Sequence, residues 1–253
     1  MEYCKINTLF LRDDNNIIIP SRFTCEEFEY LKDNLWEATE KIDGTNMRVE
    51  LTPDTYDVET MPGSFEEEAT ISMNFRGRTD NAQIPPHLLD KMKLLFDKDT
   101  LVEYFFKDKE PCSITLFGEG YGAKIQKGGN YIKDDVNFIL FDVLVNGKWW
   151  LKRSALEQIA KDLNIEIVPL IGYMTIPEAI EYVKKGFKST IAENKEYNAE
   201  GLVLKPKCGI LDRGGKRIIT KIKTCDFQKF TAKYGADYTG EQPVNNKYNE
   251  TKK

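Results

Sequence analysis

Histidine is almost absent from this chain: His87 is the single one among 253 residues. A histidine-rich metal site is therefore excluded, and the position of His87 after Pro85-Pro86 puts it on the surface near a helix start. Cysteine is sparse and unpatterned. Cys4, Cys25, Cys112, Cys208 and Cys225 make an odd set with no C-x-x-C pair, which argues against a zinc ribbon or a disulfide frame and suits a reducing cytoplasm. No apolar run approaches the roughly 18 residues of a membrane span. The opening Met1-Glu2-Tyr3-Cys4-Lys5 has the character of neither a secretion signal nor an Arg-rich transit peptide. Excess positive charge is missing too, since the formal net charge is −5. A nucleic-acid partner would have to be met by basic residues gathered on one face. What the chain does have is 41% hydrophobic and 30% charged residues of both signs, enough for a sizeable core in one large domain, or in one domain with a small appendage.

Strand signals dominate, at about 36–42, 46–51, 70–76, 112–119, 136–145, 200–205 and 216–223, in segments rich in β-branched and aromatic residues. Asn146-Gly147 between Phe138–Val145 and Lys148–Leu151 predicts a hairpin turn. Capping boxes predict helix starts at Thr24 with Glu27, Ser154 with Glu157, and Thr175 with Glu178. Leu88, Leu89, Met92, Leu95 and Phe96 predict one helix over Pro86 to Lys107 with an apolar face. A short helix is expected over about Asp226 to Lys233. Thr60 to Ala69, with Pro62, Gly63 and three glutamates, reads as an exposed loop. One domain is expected over 1–234, followed by a polar, loosely ordered tail over 235–253.

Chemistry gathers in a few short stretches. Glu40-Lys41-Ile42-Asp43-Gly44-Thr45-Asn46 sets a lysine at a strand end beside a glycine turn, where a ligand can approach the backbone. Alone, such a K-x-D-G reads as a surface lysine and a turn aspartate. Further stretches follow in order: Phe75-Arg76-Gly77-Arg78-Thr79; Leu116-Phe117-Gly118-Glu119-Gly120-Tyr121-Gly122 with Gln126 after it; Phe138-Ile139-Leu140-Phe141-Asp142-Val143; Glu200-Gly201-Leu202-Val203-Leu204-Lys205; and Ile219-Thr220-Lys221-Ile222-Lys223. The glycines of 118–122 and 128–129 lack the spacing of a dinucleotide fingerprint and instead permit tight turns.

Together these stretches resemble the covalent nucleotidyltransferase superfamily of DNA ligases, RNA ligases and mRNA capping enzymes, and within it the phage-type, ATP-dependent RNA ligases that seal nicks in duplex RNA. The resemblance runs over roughly 36–225. It implies an α+β fold, an adenylyltransferase (ATP-grasp-like ligase) domain of antiparallel sheets flanked by helices. It implies ATP as substrate with Mg²⁺ or Mn²⁺, and RNA as partner, as a nicked duplex or broken strand ends. A separate nucleic-acid-binding protein stays open as a further partner, no membrane is expected, and a viral member would work in the cytoplasm of its host cell.

The resemblance also assigns roles. Lys41 is the implied nucleophile, forming lysyl-AMP. An unperturbed lysine, with a pKa of about 10.4, is neutral in only about 1 in 2,500 molecules at pH 7, so nearby cations must favour the neutral amine. Asp43, Glu119 and Glu200 are the implied acidic set, holding a metal ion through its waters. Phe141 is the implied adenine-stacking ring; Phe138, three residues back, belongs to the core. Lys221 and Lys223, two apart on a strand, share a face and are implied to grip phosphates. Glu40, Asn46 and Arg78 complete the implied ATP/AMP contacts, while Arg76, Arg78, Gln126, Lys127 and Lys205, with Lys124, are implied to meet nucleic acid. Asp142 matches a further family position. Lys205 lies five residues beyond Glu200, so a flat strand sets them on opposite faces and a bulge is expected.

The same residues leave room for an ATP-dependent DNA ligase catalytic domain, an mRNA guanylyltransferase, or a non-catalytic nucleic-acid-binding module. The first two commonly carry a further domain. The remainder after Lys223 is too polar to form a core of its own, so fast self-adenylylation with weak, salt-sensitive nick binding is expected.

Overall fold

A computed structural model describes residues 2–61, 64–127 and 131–235, the side chains of 55–61 and 64–69 excepted. In chain order the elements are β1 (Asn7–Thr8), β2 (Phe10–Arg12), β3 (Ile18–Phe23), α1 (Glu26–Tyr30), β4 (Trp36–Lys41), β5 (Thr45–Met61), β6 (Ser64–Gly77), α2 (Pro86–Leu95), α3 (Lys98–Phe106), β7 (Ile114–Gly122), β8 (Val136–Val145), β9 (Trp149–Trp150), α4 (Arg153–Asp162), β10 (Glu166–Ile167), β11 (Leu170–Met174), α5 (Ile176–Lys185), β12 (Gly201–Pro206), β13 (Thr220–Lys223) and α6 (Thr224–Tyr234). This is the α+β arrangement of largely antiparallel sheets flanked by helices. No helix among the described residues is long and apolar enough to cross a membrane.

The chain divides into two compact units that interleave in sequence. The first comprises Met1–Lys5, Ile42–Pro169 and Lys188–Tyr197; the second comprises Ile6–Lys41, Leu170–Phe187 and Asn198–Lys253. The first holds a sheet ordered β10-β8-β7-β5-β6, with β9 paired to β8. Its apolar face carries Met47, Val49, Leu51, Leu116, Phe138 and Leu140, packed against Leu88 and Met92 of α2, Leu101 of α3 and Leu156 of α4. The second holds a sheet ordered β1-β13-β12-β4-β11 and the hairpin β2-β3. Its core joins Trp36, Ala38, Leu202, Leu204 and Ile222 to Ile176, Ala179 and Val183 of α5 and Phe227 and Phe230 of α6. Period-two alternation therefore leaves each sheet a second face built from the intervening residues.

Local signals held where no competing partner intervened. Asn146 and Gly147 both take positive φ, 52° and 63°, as a tight hairpin turn requires. Thr175 and Glu178 form the full reciprocal capping box. His87 lies exposed in the first turn of α2. Elsewhere the expectations are corrected. The helix over 86–107 is two helices, because Asp97 turns extended and its side chain accepts from Thr100 N at 2.8 Å, capping a new start. Thr24 does not cap α1: its hydroxyl donates to Thr8 O at 2.7 Å, and Cys25 is the N-cap. Ser154 lies inside α4, which begins at Arg153, and Glu157 pairs with Arg153 at 2.8 Å. The loop expected at 60–69 is instead strand up to Met61 and from Ser64, paired from Thr55↔Ala69 to Met61↔Ser64. A run of glutamates does not oppose a strand whose backbone groups pair along its length. Pro62, Gly63, Gly128, Gly129 and the tail from 236 lie outside the described residues.

Candidate active site

The candidate residues fall into two clusters, one on each unit. In the second unit β12 runs antiparallel to both β4 and β13, and Gly201 is the register partner of Lys41 on one side and of Lys223 on the other. Two lysines thus flank a residue without a side chain. Glu200, immediately before the strand, sends its carboxylate to both: Oε2 lies 2.6 Å from Lys41 Nζ and Oε1 lies 2.6 Å from Lys223 Nζ. All three side chains are largely sheltered, at 18%, 29% and 14% exposure for Lys41, Lys223 and Glu200. Thr224 N donates to Glu200 O at 2.9 Å and fixes the backbone there. Burial pulls the Lys223 ammonium down. The hydrogen bond and charge of Glu200, with charge from Cys225 and Asp226, outweigh it and hold Lys223 above the ordinary lysine value.

Register also settles the faces. Val203 is partnered by Thr39 and Lys221, and Lys205 by Glu37. Lys41, Lys205, Lys221 and Lys223 therefore share the face opposite the core. No bulge interrupts β12; Glu200 reaches that face because it lies outside the strand, which corrects the expectation of a bulge. Glu40 alternates to the core side and is 1% exposed, so its side chain is turned away from the lysine face.

The first unit carries the rest. Asn46 on β5 is partnered by Glu119 on β7, and Glu119 by Ile139 on β8. One face therefore holds Asn46, Glu119 and Ile139. Phe141, two residues beyond Ile139, shares that face by alternation, and a register shift between Phe117↔Asp142 and Gly118↔Leu140 brings Asp142 onto it as well. Such a bulge re-aims a side chain, here that of Asp142. Phe141 packs at the edge of a small cluster with Ile42, Tyr121, Tyr131 and Ile139, while Phe138, on the other face, is fully buried. Tyr3 meets Phe141 edge-on at 5.0 Å and its hydroxyl donates to buried Asp142. Burial, with the hydrogen bond and charge of Glu166, pushes the Tyr121 phenol up.

The Asp43-Gly44 turn is pinned on both sides. Asp43 N donates to the hydroxyl of Tyr131 at 3.0 Å, and Gln126 Nε2 donates to Gly44 O at 3.0 Å. A Cβ on Gly44 would lie 2.3 Å from Gly120 O and 2.8 Å from Glu119 Cγ. The motif glycine is required by the close passage of the Glu119 strand. On Gly201 a Cβ would lie 1.9 Å from Ile222 O, so alanine there must part β12 from β13 and with it the Lys223 row. Gly201→Ala should lower the unfolding temperature and depress any chemistry of Lys41 together; a Gly201→Ala protein that melts and reacts like the parent would refute this reading of the glycine.

Arg48 escaped the sequence reading. It is fully buried on the Asn46 face, where its guanidinium donates to Gly77 O at 2.8 Å, to Glu50 at 3.0 Å, and to Asp80. Glu50 also pairs with Arg76 at 3.0 Å. A buried arginine thus ties down the segment bearing Arg76 and Arg78; Arg78 itself is exposed, as are Lys124, Gln126 and Lys127. An isolated arginine amid a strand pattern gives no sign of this, because its partners lie up to 32 residues away.

Among the described residues, no three His, Cys, Asp or Glu side chains gather closely enough to hold an ion directly. Asn46 Oδ1 is buried without a hydrogen-bond partner, a condition costing about 1–3 kcal/mol that a donor from a bound nucleotide or a metal-bound water would relieve.

The family model for RNA ligase matches residues 34–223. Similar solved structures include Naegleria gruberi RNA ligase with PPi, at TM-score 0.56 and 19% identity over 92% of this chain and 58% of that one. Point mutants of the same protein are similar too: one with AMP and Mn (TM-score 0.56, 18% identity, 90% and 58% covered) and one with ATP and Mn (TM-score 0.53, 17% identity, 90% and 58% covered). At these identities the likeness is one of fold, and the chain spans about 58% of the length of those proteins. No curated protein matches it in sequence.

Proposed function

Because the chain belongs to the RNA ligase family, we propose that it is an ATP-dependent RNA ligase joining 3′-OH and 5′-phosphate ends through lysyl-AMP and 5′-adenylated intermediates. The observation that carries this reading is the carboxylate of Glu200 held at 2.6 Å from both Lys41 and Lys223. A lysine bound for attack on phosphorus needs a partner that fixes its position and then yields it. Lys41 Nζ forms the bond to the α-phosphorus of ATP, and pyrophosphate leaves with the electron pair of the broken P–O bond. The 5′-phosphate of the RNA then takes AMP from Lys41, and the 3′-OH displaces AMP to close the strand. Lys221 and Lys223 neutralise phosphate charge on the lysine face. Phe141 and Asn46 receive the nucleoside. Asp43, Glu119 and Glu200 would hold Mg²⁺ or Mn²⁺ through water, and the ion would supply positive charge at the phosphates. The Naegleria enzyme, solved with ATP or AMP and Mn, supports this choice of substrate and ion.

Incubation with α-labelled ATP and a divalent ion, followed by a denaturing gel, tests the first step. A labelled protein band that is chased into sealed product by a nicked duplex is the expected result. No label, or label from GTP alone, would overturn it. The family match does not favour the DNA-ligase reading. Duplexes differing only in the ribose at the 3′-OH side of the nick should be sealed faster when that end is RNA; an all-DNA nick sealed as fast would contradict the RNA assignment.

A further inference from the structure

The lysine face of the five-stranded sheet continues beyond the residues that meet ATP. Glu37 on β4 is the register partner of Lys205 on β12 and of Tyr173 on the edge strand β11. These three form a row on the same face as Lys41, four residues back along β4, about 13 Å away at the usual strand rise. Tyr173, on the edge strand and the face away from the core, is 42% exposed. Lys207 Nζ stands over its ring at 4.7 Å from the centroid, and Lys207 N is tied to Leu35 O at 3.0 Å. The segment that follows adds exposed Arg213 and Lys216. Lys205 and Lys207 thus set two positive charges beside Tyr173, with Glu37 in the same row, in a chain of net charge −5.

We infer that Tyr173, with Lys205 and Lys207, is a stacking platform for a nucleobase of the RNA strand being joined, a few nucleotides from the reacting end; this rests on the RNA-ligase reading above. Every base has a π-face that an exposed tyrosine can meet without regard to sequence, and a basic rim tracks the phosphates beside it. A nucleotide offers both groups at once: its phosphate draws the Lys207 ammonium off the ring, and its base takes the face thus uncovered.

The test uses the full chain and nicked RNA duplexes bearing 2-aminopurine at successive positions from the nick. The unaltered protein should change the fluorescence at one or two neighbouring positions only. Tyr173→Ala should abolish that change and weaken nick binding about tenfold, while labelling by ATP without RNA stays unchanged. Tyr173→Trp should restore both signals, and Lys207→Ala should weaken binding with a shallower salt dependence. Unchanged affinity and fluorescence in Tyr173→Ala would overturn the platform. So would a loss of self-labelling in the same variant, since the ring would then be serving the fold. If the unaltered chain labels with ATP but binds no RNA, the ligase reading fails with the platform; if it binds and seals RNA while Tyr173→Ala does so equally well, the platform alone fails.

Discussion

Lys41→Ala gives no covalent AMP adduct, while Lys32→Ala labels as the unaltered chain does. The control lysine follows α1 and pairs with Glu29 in solvent, on no element of the candidate site. The bond to phosphorus requires a lone pair at the Lys41 position, and among the described residues of the second unit Lys223 is the one other amine in its row. Removing a covalent nucleophile costs on the order of 10⁴-fold or more, below detection on a gel. Lys41→Arg is the sharper variant, because a guanidinium keeps the ion pair with Glu200 but has no neutral form at working pH; it should be as dead as alanine. The two variants thus separate the lone pair from the charge. Both should still join a pre-adenylated strand, since that substrate already holds the AMP that Lys41 would have delivered. Label that persists in Lys41→Ala would end the assignment of Lys41, and label in Lys41→Arg alone would move the nucleophile elsewhere.

The candidate residues could be picked out because each motif is short and lies within one strand or turn. Alternation alone sets Lys221 and Lys223 on one face, and β13 bears that out. The same rule, applied to adjacent Glu40 and Lys41, would have turned Glu40 into the core, where it lies. What could not be read was anything that depends on a partner strand. Asp142 reaches the face of Ile139 and Phe141 only through a bulge defined by β7. Gly44 is required by the backbone of Gly120 rather than by its own dihedral angle. Arg48 owes its role to Gly77 and Asp80. The helix errors have the same cause at shorter range. Asp97 followed by Thr100 was a cap signal hidden inside an apolar pattern, and Thr24 was drawn off its expected cap by a carbonyl from β1. Side chains that choose between local and distant partners are decided by the fold, so a local signal is reliable only where no distant partner competes.

Glu200→Gln should leave the chain folded and reduce adenylylation on the order of a hundredfold, the scale of losing one preorganised electrostatic contact. The amide keeps the size of the carboxylate, but one of its two ends becomes a donor. It can accept from Lys41 or from Lys223, never from both, and the other ammonium then faces an N–H. The pairs are half-buried, so the stability cost falls between exposed and buried cases, on the order of 1–2 kcal/mol, too little to unfold the unit. The pH response carries a sign. In the unaltered chain Lys223 titrates above the ordinary lysine value. The stability from its pair is complete below the ordinary value and lost only as pH rises through the raised one, so it is constant across the neutral range. In Glu200→Gln the hydrogen bond and charge that hold Lys223 up are gone, and burial, the largest single influence on it, pushes it down. The variant should therefore lose phosphate grip at a lower pH than the parent, seen as an alkaline decline in labelling that the parent lacks. Lys223→Met supplies the other arm of a double-mutant cycle. If one carboxylate serves both lysines, the double variant should lose much less than the two single losses multiplied together. Losses that simply multiply, with no alkaline decline in Glu200→Gln, would mean that Lys41 and Lys223 act independently and that Glu200 is a neighbour of both but the link between neither.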